Sequence, residues 1–301
     1  MDAWIPLTLA AALAQTARSA WQKRIQGEIG ILAATYARFG FGLPFAILYL
    51  AWLQGRVDEP WPLPTPLFFH DALLGGAAQI AATLCLLQAF TFGNFSVGNA
   101  LAKTESAQAA LFGLVILGEP VGWIGQVAIG TSLLGVVMLS LPRETTDPGP
   151  RHGHRTWAAA LTGLAAGALF GLASVLFRSA SLSLSMHAAA PAAAVTLFVV
   201  LLFQAVAMGS LLAIAFRPSL RRLLRAWKGA LRVGLVGMVA SALWFTAMTL
   251  QNAAFVRALG QIELIFTTMA SLWLFRERIQ GRENAGIALV ALGILTLLLG
   301  G

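Results

Sequence analysis

Long apolar stretches, separated by short segments with charged residues, glycine or proline, run along almost the whole chain. Most hold about 20 residues, the length that an α-helix needs to cross the hydrocarbon core of a bilayer. The pattern therefore predicts an all-α polytopic membrane protein with ten membrane-spanning helices. The predicted spans are residues 4–22, 29–53, 67–90, 97–117, 121–141, 156–178, 188–216, 230–251, 255–275 and 283–300.

The composition supports this fold class. Hydrophobic residues make up 58% of the 301 residues and charged residues only 11%, against about 25% charged residues in soluble domains. A soluble domain of this length would leave too much apolar surface in water, so the composition excludes a soluble globular enzyme and a disordered protein. A single cysteine, Cys85, excludes an intrachain disulfide. The first residues lack the basic region of a signal peptide, so we expect the first span to be retained.

Basic residues are concentrated in alternate predicted loops. The loops after the first, fifth, seventh and ninth spans contain Lys23, Arg24, Arg143, Arg151, Arg155, Arg217, Arg221, Arg222, Arg225, Lys228, Arg232, Arg276, Arg278 and Arg282. The other loops contain little beyond Arg56. Because Lys and Arg are retained on the cytoplasmic side, we expect both termini outside, in a bacterial-type inner (plasma) membrane. The net charge of +8 then reflects orientation, and no nucleic-acid partner is expected.

The two halves of the sequence are related by an internal repeat. A first five-helix repeat, residues 1–142, is separated by a polar linker, residues 143–155, from a second repeat, residues 156–301. An offset of 158 residues aligns the halves without a gap at their most similar part. The matched pairs include polar residues, which are rare in spans: Asn94 with Asn252, Glu105 with Glu263 and Glu119 with Glu277.

The repeat also predicts an inverted arrangement. Each unit holds an odd number of spans, so the second must enter the membrane from the opposite side. Equivalent loops agree with this, because they carry opposite charge bias. Two inverted five-helix repeats are typical of secondary transporters that work by alternating access. The alternative is an ancient duplication in a membrane protein that does not transport.

Several motifs resemble one transporter family. The segment from Val256 to Thr267 resembles the ninth span of the drug/metabolite transporter superfamily, in its ten-helix branch with two EamA-type repeats. Phe275–Arg278 and Gly286–Leu295 resemble that family's loop glutamate and tenth span. Leu117-Gly118-Glu119-Pro120 repeats the pattern in the first half. The resemblance implies secondary transport of small organic metabolites, often as efflux. One departure is Thr104-Glu105-Ser106, which stands where the family often has a proline.

Charged residues inside spans need a reason, because burying them costs free energy. Arg38 is predicted about 14 Å into the second span. It is a candidate substrate-binding residue that clamps a carboxylate or phosphate, or it forms a buried ion pair with Glu105 or Glu263. These two carboxylates occupy matching depths in spans 4 and 9. They are candidates for proton coupling or for a structural ion pair, and Asn94 and Asn252 for polar contacts at the repeat interface.

Lys103 is a further substrate-binding candidate, because its repeat partner is the uncharged Gln261. Two positions on a helix are about 200° apart, so Lys103 and Glu105 are expected to face nearly opposite sides, and if one lines the cavity, the other packs into the bundle. The uncharged substrate-binding candidates are Gln15, Gln79, Tyr36 and Trp244, of which the two aromatic residues could form a wall with Phe245. Three arginines near span ends are expected to reach the interface, namely Arg18, Arg178 and Arg257.

These observations predict a transporter rather than an enzyme. The sequence shows no phosphate-binding loop, no Ser/His/Asp arrangement and no Cys/His cluster, so we expect no ATP, no metal site and no cofactor.

The expected function is secondary active transport, as an exporter, of small organic metabolites such as amino acids, and proton coupling stays open. An excess of semi-buried Lys and Arg over Glu favours a carboxylate-bearing solute. The alternatives are an uncoupled exchanger, a multidrug or cation efflux carrier and, less favoured, a membrane-embedded enzyme or scaffold. The bilayer is the other expected partner, and a monomer would suffice.

Overall fold

The structure, a computed structural model, describes residues 3–56, 61, 63–91, 101–140, 152–266 and 281–300. These residues are almost entirely helical and contain no β-strand. The helices are α1 (Trp4–Ile29), α2 (Ile31–Gly40), α3 (Leu43–Gln54), α4 (Pro66–Thr91), α5 (Glu105–Phe112), α6 (Trp123–Ser140), α7 (His152–Ser183), α8 (Ala189–Ala215), α9 (Arg217–Arg225), α10 (Trp227–Leu250), α11 (Ala253–Gly260) and α12 (Gly281–Gly300). A π-helical turn, Gly113–Leu117, continues α5.

Many of these helices have the length and hydropathy of membrane spans. Within the described residues, five stretches are long and apolar enough to cross a bilayer: Ile31–Gln54, Pro66–Leu86, Trp157–Ser183, Ala189–Ala215 and Trp227–Leu250. Shorter apolar helices cover Glu105–Leu117, Trp123–Leu139 and Asn284–Leu299. All eight coincide with predicted spans, and the prediction of an all-α polytopic membrane protein is confirmed.

Three predicted spans are interrupted. Phe41 and Gly42 separate α2 from α3 within the second span, and Lys103 and Thr104 form a turn immediately before α5 in the fourth. In the ninth span, Gln261 forms a turn after α11 before the helix resumes at residues 262–266. The expectation of a continuous fourth helix is therefore wrong at Lys103, and the opposite placement of Lys103 and Glu105 does not follow from it. The turns at Lys103 and Gln261 are 158 positions apart and thus occupy the same place in the two repeats.

Contacts divide the chain into two compact units, each built from both halves of the sequence. Unit 1 comprises Met1–Ala77 and Leu176–Gln251, and unit 2 comprises Ala78–Val175 and Asn252–Gly301. The repeats and the units are therefore different divisions of the same chain.

In unit 1, α10 packs along α1, while α2 and α3 pack on α8 and α10. Gly234 of α10 lies against the backbone of Phe41, where the second span is interrupted. A side chain at Gly234 would collide with that backbone, so glycine is what allows α10 to approach the interruption so closely.

In unit 2, α6 packs along α12, and α11 packs on α5. The repeat-equivalent glycines Gly135 and Gly293 both lie in the α6–α12 contact. A Cβ at Gly135 would lie 2.6 Å from the carbonyl oxygen of Gly286, and one at Gly293 would lie 2.7 Å from the carbonyl oxygen of Ala128. Small residues of this kind let membrane helices approach each other closely.

Candidate functional site

Unit 1 contains a group of polar side chains on α1, α2 and α10, which we call the arginine cluster: Gln15, Arg18, Arg38, Ser241 and Trp244. Arg38 Nη2 donates to Ser241 Oγ at 3.4 Å. Trp244 Nε1 donates to Gln15 Oε1 at 3.1 Å. The helices thus bring together three of the sequence-derived substrate-binding candidates, Gln15, Arg38 and Trp244.

Gly237 of α10 makes room for both arginines of this cluster. A Cβ at Gly237 would lie 3.2 Å from Arg38 Cγ and 3.3 Å from Arg18 Cδ. The two side chains therefore pass the same point of the α10 backbone, and a side chain at Gly237 would require both of them to shift. Arg38 also stands in the last turn of α2, where the partial negative charge of the helix end favours a cation. The alkyl parts of the two side chains meet at Gly237, while Arg38 Nη2 bonds to Ser241 and Arg18 Nη2 donates to Ser19 Oγ at 3.4 Å. Two arginines on neighbouring helices suit an anionic ligand, because each guanidinium can bind a carboxylate through two parallel hydrogen bonds.

The aromatic candidates of unit 1 have separate packing environments. Tyr36 lies over Gly40 and Gly209, and it also packs against the buried residues around Leu223. Phe245 stacks on Phe177, with ring centroids 4.5 Å apart. Trp244, by contrast, belongs to the arginine cluster through its bond to Gln15. Tyr36 and Phe245 are thus held by packing contacts.

Unit 2 contains four charged side chains in two ion pairs, which we call the paired-charge cluster. Lys103 Nζ lies 3.6 Å from Glu263 Oε2, and these side chains are 17% and 18% exposed. Arg257 Nη1 lies 3.9 Å from Glu105 Oε1, and these are 10% and 13% exposed. Each pair connects the fourth span to the ninth, so the cluster joins the interrupted helices of the two repeats.

Uncharged side chains extend this connection. Gln261 Nε2 donates to Ser106 Oγ at 2.9 Å, across the two interrupted spans. Arg257 Nε donates to Ser174 Oγ of α7 at 2.7 Å. The expectation that Arg257 reaches the membrane interface is therefore wrong, because its guanidinium is held inside unit 2 by a carboxylate and a hydroxyl.

Arg178 binds the end of α10. Its Nη1 donates to the carbonyl oxygens of Met248, Thr249 and Gln251, at 2.6, 3.1 and 2.8 Å. These carbonyls belong to the end of α10 and the residue after it, where helical carbonyls lack intrahelical donors. Arg178 therefore caps α10 and stabilises the helix that carries Gly237, Ser241 and Trp244.

The other candidates have defined places. Asn252 precedes α11, and its Oδ1 accepts a hydrogen bond from the backbone N–H of Ala254 at 2.9 Å, which makes it the N-cap of that helix. Gln79 is buried in α4, and its backbone carbonyl accepts from Thr83 Oγ1. Asn94 lies outside the described residues. Among the described residues, no group of three His, Cys, Asp or Glu side chains could hold a metal ion.

The pair His70-Asp71 lies early in the third predicted span, where the sequence predicts a solvated helix start, with a proton relay as the alternative. Asp71 of α4 accepts a hydrogen bond from Ser179 Oγ of α7, and one of its oxygens lies 2.8 Å from His70 Nδ1. Asp71 is buried, whereas His70 is largely exposed. The prediction of a solvated start is therefore wrong for Asp71, which is buried and hydrogen-bonded, as an acidic residue within a span needs a partner.

Comparisons with known proteins agree with the architecture. The profile of the EamA-like transporter family matches residues 2–141 and, a second time, residues 157–299. A solved structure titled "Crystal structure of protein" is similar to the chain with a TM-score of 0.74 and 16% sequence identity, covering 99% of this chain and 97% of the other. No curated protein matches the chain. The family match confirms the resemblance inferred from the sequence, including its two repeats, and the likeness to the solved structure extends to the fold alone.

Proposed function

Because the chain belongs to the EamA-like transporter family, and is thus a multi-pass membrane transporter, we propose that it exports small carboxylate-bearing metabolites, such as amino acids, by secondary active transport. The observation that carries this proposal is the approach of Arg18 and Arg38 to each other across Gly237. The mechanism is alternating access between two inverted repeats. The location is a bacterial-type inner membrane with both termini outside, as the distribution of Lys and Arg among the loops indicates.

The chemistry of the arginine cluster favours an anion. Arg38 and Arg18 contribute two positive charges, and Ser241 and Gln15 contribute polar groups that can bond a substrate's hydroxyl, amine or carboxylate oxygens. A guanidinium binds a carboxylate more specifically than an ammonium does, because its planar fork matches both oxygens. The substrate's charge would thus offset the cost of holding two cations within a membrane protein.

A cation or multidrug carrier is less well supported by the same structure. Such a carrier needs a carboxylate that can meet a positively charged substrate. Glu105 and Glu263 lie in spans, but each faces a basic side chain, Arg257 and Lys103 respectively. We assign these carboxylates and Lys103 to ion pairs that join spans 4 and 9, with proton coupling as the alternative role for the carboxylates.

The test uses purified protein in sealed liposomes and a panel of amino acids paired with their amides. We expect counterflow of the acids and at least about tenfold weaker transport of the amides, because a charged hydrogen bond contributes about 1.5–3 kcal/mol. Arg38→Gln should abolish this preference, and Arg38→Lys should raise the half-saturating concentration about tenfold. Arg56→Gln is the matched control, since Arg56 is exposed and lies over Trp52.

Two outcomes would overturn the proposal. Equal transport of acids and amides would remove the carboxylate from recognition, and transport of organic cations alone would favour the multidrug alternative. Direction is tested separately by comparing metabolites in the medium of deletion and overexpressing cells. If Glu105→Gln and Glu263→Gln both leave transport responsive to an imposed pH gradient, the carboxylates are structural. Loss of that response with uptake intact would assign them to proton coupling.

A further inference from the structure

The helix between α8 and α10, α9, is a basic amphipathic segment in a region that the sequence pattern predicts to be a loop. Within α9 four of nine residues are arginine and none is acidic, with sequence Arg-Pro-Ser-Leu-Arg-Arg-Leu-Leu-Arg. Both neighbouring helices are candidate membrane spans that end or begin next to it, at Ala215 and Trp227. Since α9 joins the ends of two spans, it lies where the membrane meets water.

Packing holds α9 in a fixed position. Leu223 is fully buried in a cluster with Ile29, Ala33, Ala34, Ala37, Ala230 and Val233, and Leu220 packs against the same cluster. The opposite side exposes Arg221, Arg222, Leu224 and Arg225 to the surroundings of the protein. Exposed Phe216 and Trp227 flank the helix at its two ends. A helix with arginines, an exposed leucine and flanking aromatic residues is typical of one that lies in the headgroup region of a bilayer.

A cavity of about 250 Å³ opens beside this helix. It is lined by Glu28, Ile29, Arg222, Arg225 and Ala226. Arg222 and Arg225 are three residues apart and so occupy one side of α9, and Arg222 Nη2 also donates to Ser219 Oγ at 3.1 Å. Arg217 does not line the cavity; its Nε donates to the carbonyl oxygen of Ala213 near the end of α8.

We infer that this cavity binds the phosphodiester headgroup of an anionic membrane phospholipid, with Arg222 and Arg225 as its phosphate ligands. Two guanidiniums and one carboxylate give the cavity a charge of one positive unit, which matches the single negative charge of a phosphatidylglycerol headgroup. Arginine suits the phosphate because its donors can bind two oxygens at once. Glu28 would accept hydrogen bonds from the headgroup hydroxyls, and the acyl chains would follow the exposed apolar side chains into the bilayer.

The test measures lipid retention on the full-length protein by native mass spectrometry. Protein is exchanged into mixed micelles with phosphatidylglycerol, phosphatidylethanolamine and phosphatidylcholine of identical acyl chains. We expect preferential retention of phosphatidylglycerol. Arg222→Gln and Arg225→Gln should each reduce it about fivefold, since each basic residue near an anionic surface contributes about that factor. Arg221→Gln is the matched control, because Arg221 is exposed on the same helix but does not line the cavity.

A second variant gives a prediction of opposite sign. Glu28→Gln should increase retention of phosphatidylglycerol, because it removes the negative charge facing the phosphate. Soluble glycerol 3-phosphate should not displace the lipid, because it lacks the acyl chains. Displacement of the lipid by glycerol 3-phosphate would assign the cavity to a free phosphate compound. Preferential retention of phosphatidylethanolamine that is lost in the Glu28→Gln variant would assign the cavity to a zwitterionic headgroup. Equal retention of all three lipids, or equal losses in the Arg221, Arg222 and Arg225 variants, would show that no site exists. Because retention is measured without transport, these results are independent of the proposed substrate.

Discussion

Lys103 Nζ lies 3.6 Å from Glu263 Oε2, so the turn that interrupts the fourth span is tied to the ninth span by an ion pair. The repeat partner of Glu263, Glu105, forms its pair with Arg257. The two carboxylates are equivalent in the repeat, whereas the two cations are not: the counterpart of Lys103 is Gln261. The paired-charge cluster is therefore symmetric in its acids and asymmetric in its bases.

Removal of one member of the Lys103–Glu263 pair should be costly. We expect Lys103→Gln and Glu263→Gln each to lower the free energy of unfolding by on the order of 3 kcal/mol, because the remaining charge loses its partner in a largely buried place. The double variant should lose less than the sum, with a coupling of about 1–3 kcal/mol. Unfolding in mixed micelles, titrated with dodecyl sulfate, measures the free energy of unfolding of the two single variants and the double variant. Strictly additive losses would show that the pair contributes no coupling.

The α6–α12 contact provides a prediction with an internal control. Gly135→Ala should destabilise the protein by about 1–3 kcal/mol, because its Cβ would overlap the carbonyl oxygen of Gly286. Gly130→Ala, in the same helix, meets nothing within 4 Å and should be neutral or stabilising by about 0.4–1 kcal/mol. Thermal unfolding in detergent distinguishes the two. A stable Gly135→Ala protein would mean that α6 and α12 can separate without loss.

Arg178 should stabilise the end of α10. Arg178→Met keeps much of the side-chain volume but removes bonds to three carbonyls, so we expect a loss of about 1.5–3 kcal/mol. Amide hydrogen exchange should become faster around residues 248–251 in particular. Arg221→Gln, which changes an exposed arginine that does not line the lipid cavity, should leave the protein within about 0.5 kcal/mol of the original. Unchanged exchange at the end of α10 would contradict the capping role.

Asn252 should act as a helix cap rather than as a substrate ligand. Asn252→Ala is expected to cost about 1 kcal/mol, because the N–H of Ala254 loses its acceptor. Asn252→Ser should retain most of the stability, since serine is also a strong N-cap. Both variants should keep the half-saturating substrate concentration of the original protein. A large increase in that concentration in the serine variant would indicate contact with the substrate instead.

Apolar run length was sufficient to locate the spans, because the bilayer sets the length of each helix. It could not locate their interruptions. Lys103-Thr104-Glu105 contains neither glycine nor proline, so nothing local marks the turn there. At Phe41 a signal did exist in Gly40, Gly42 and Pro44, but each is tolerated in membrane helices when neighbours compensate. The helix α9 was not predicted, because its four arginines give the segment a polar composition. Its position depends on Leu220 and Leu223, which pack against the protein interior.

The candidate site residues also show which features the sequence could predict and which it could not. The sequence identified Arg38, Glu105 and Glu263 as buried charges that need partners, since the cost of burying a charge is general. It could not identify those partners, because they are distant in sequence. Arg178 bonds to residues at least 70 positions away, and Arg257 bonds to Ser174, 83 positions away. Depth in a span thus predicts that a charge is satisfied, and only the packing of helices determines by which group.

The turns at Lys103 and Gln261 are inherited most simply from one ancestral half, which would have functioned as a pair of identical chains. In such a pair every contact between the fourth-span equivalents would have been made twice with the same residues. The present ion pairs break that rule, because lysine serves one carboxylate and arginine the other. The basic residues therefore diverged after the ancestral half was duplicated, because only two separate copies can differ at equivalent positions.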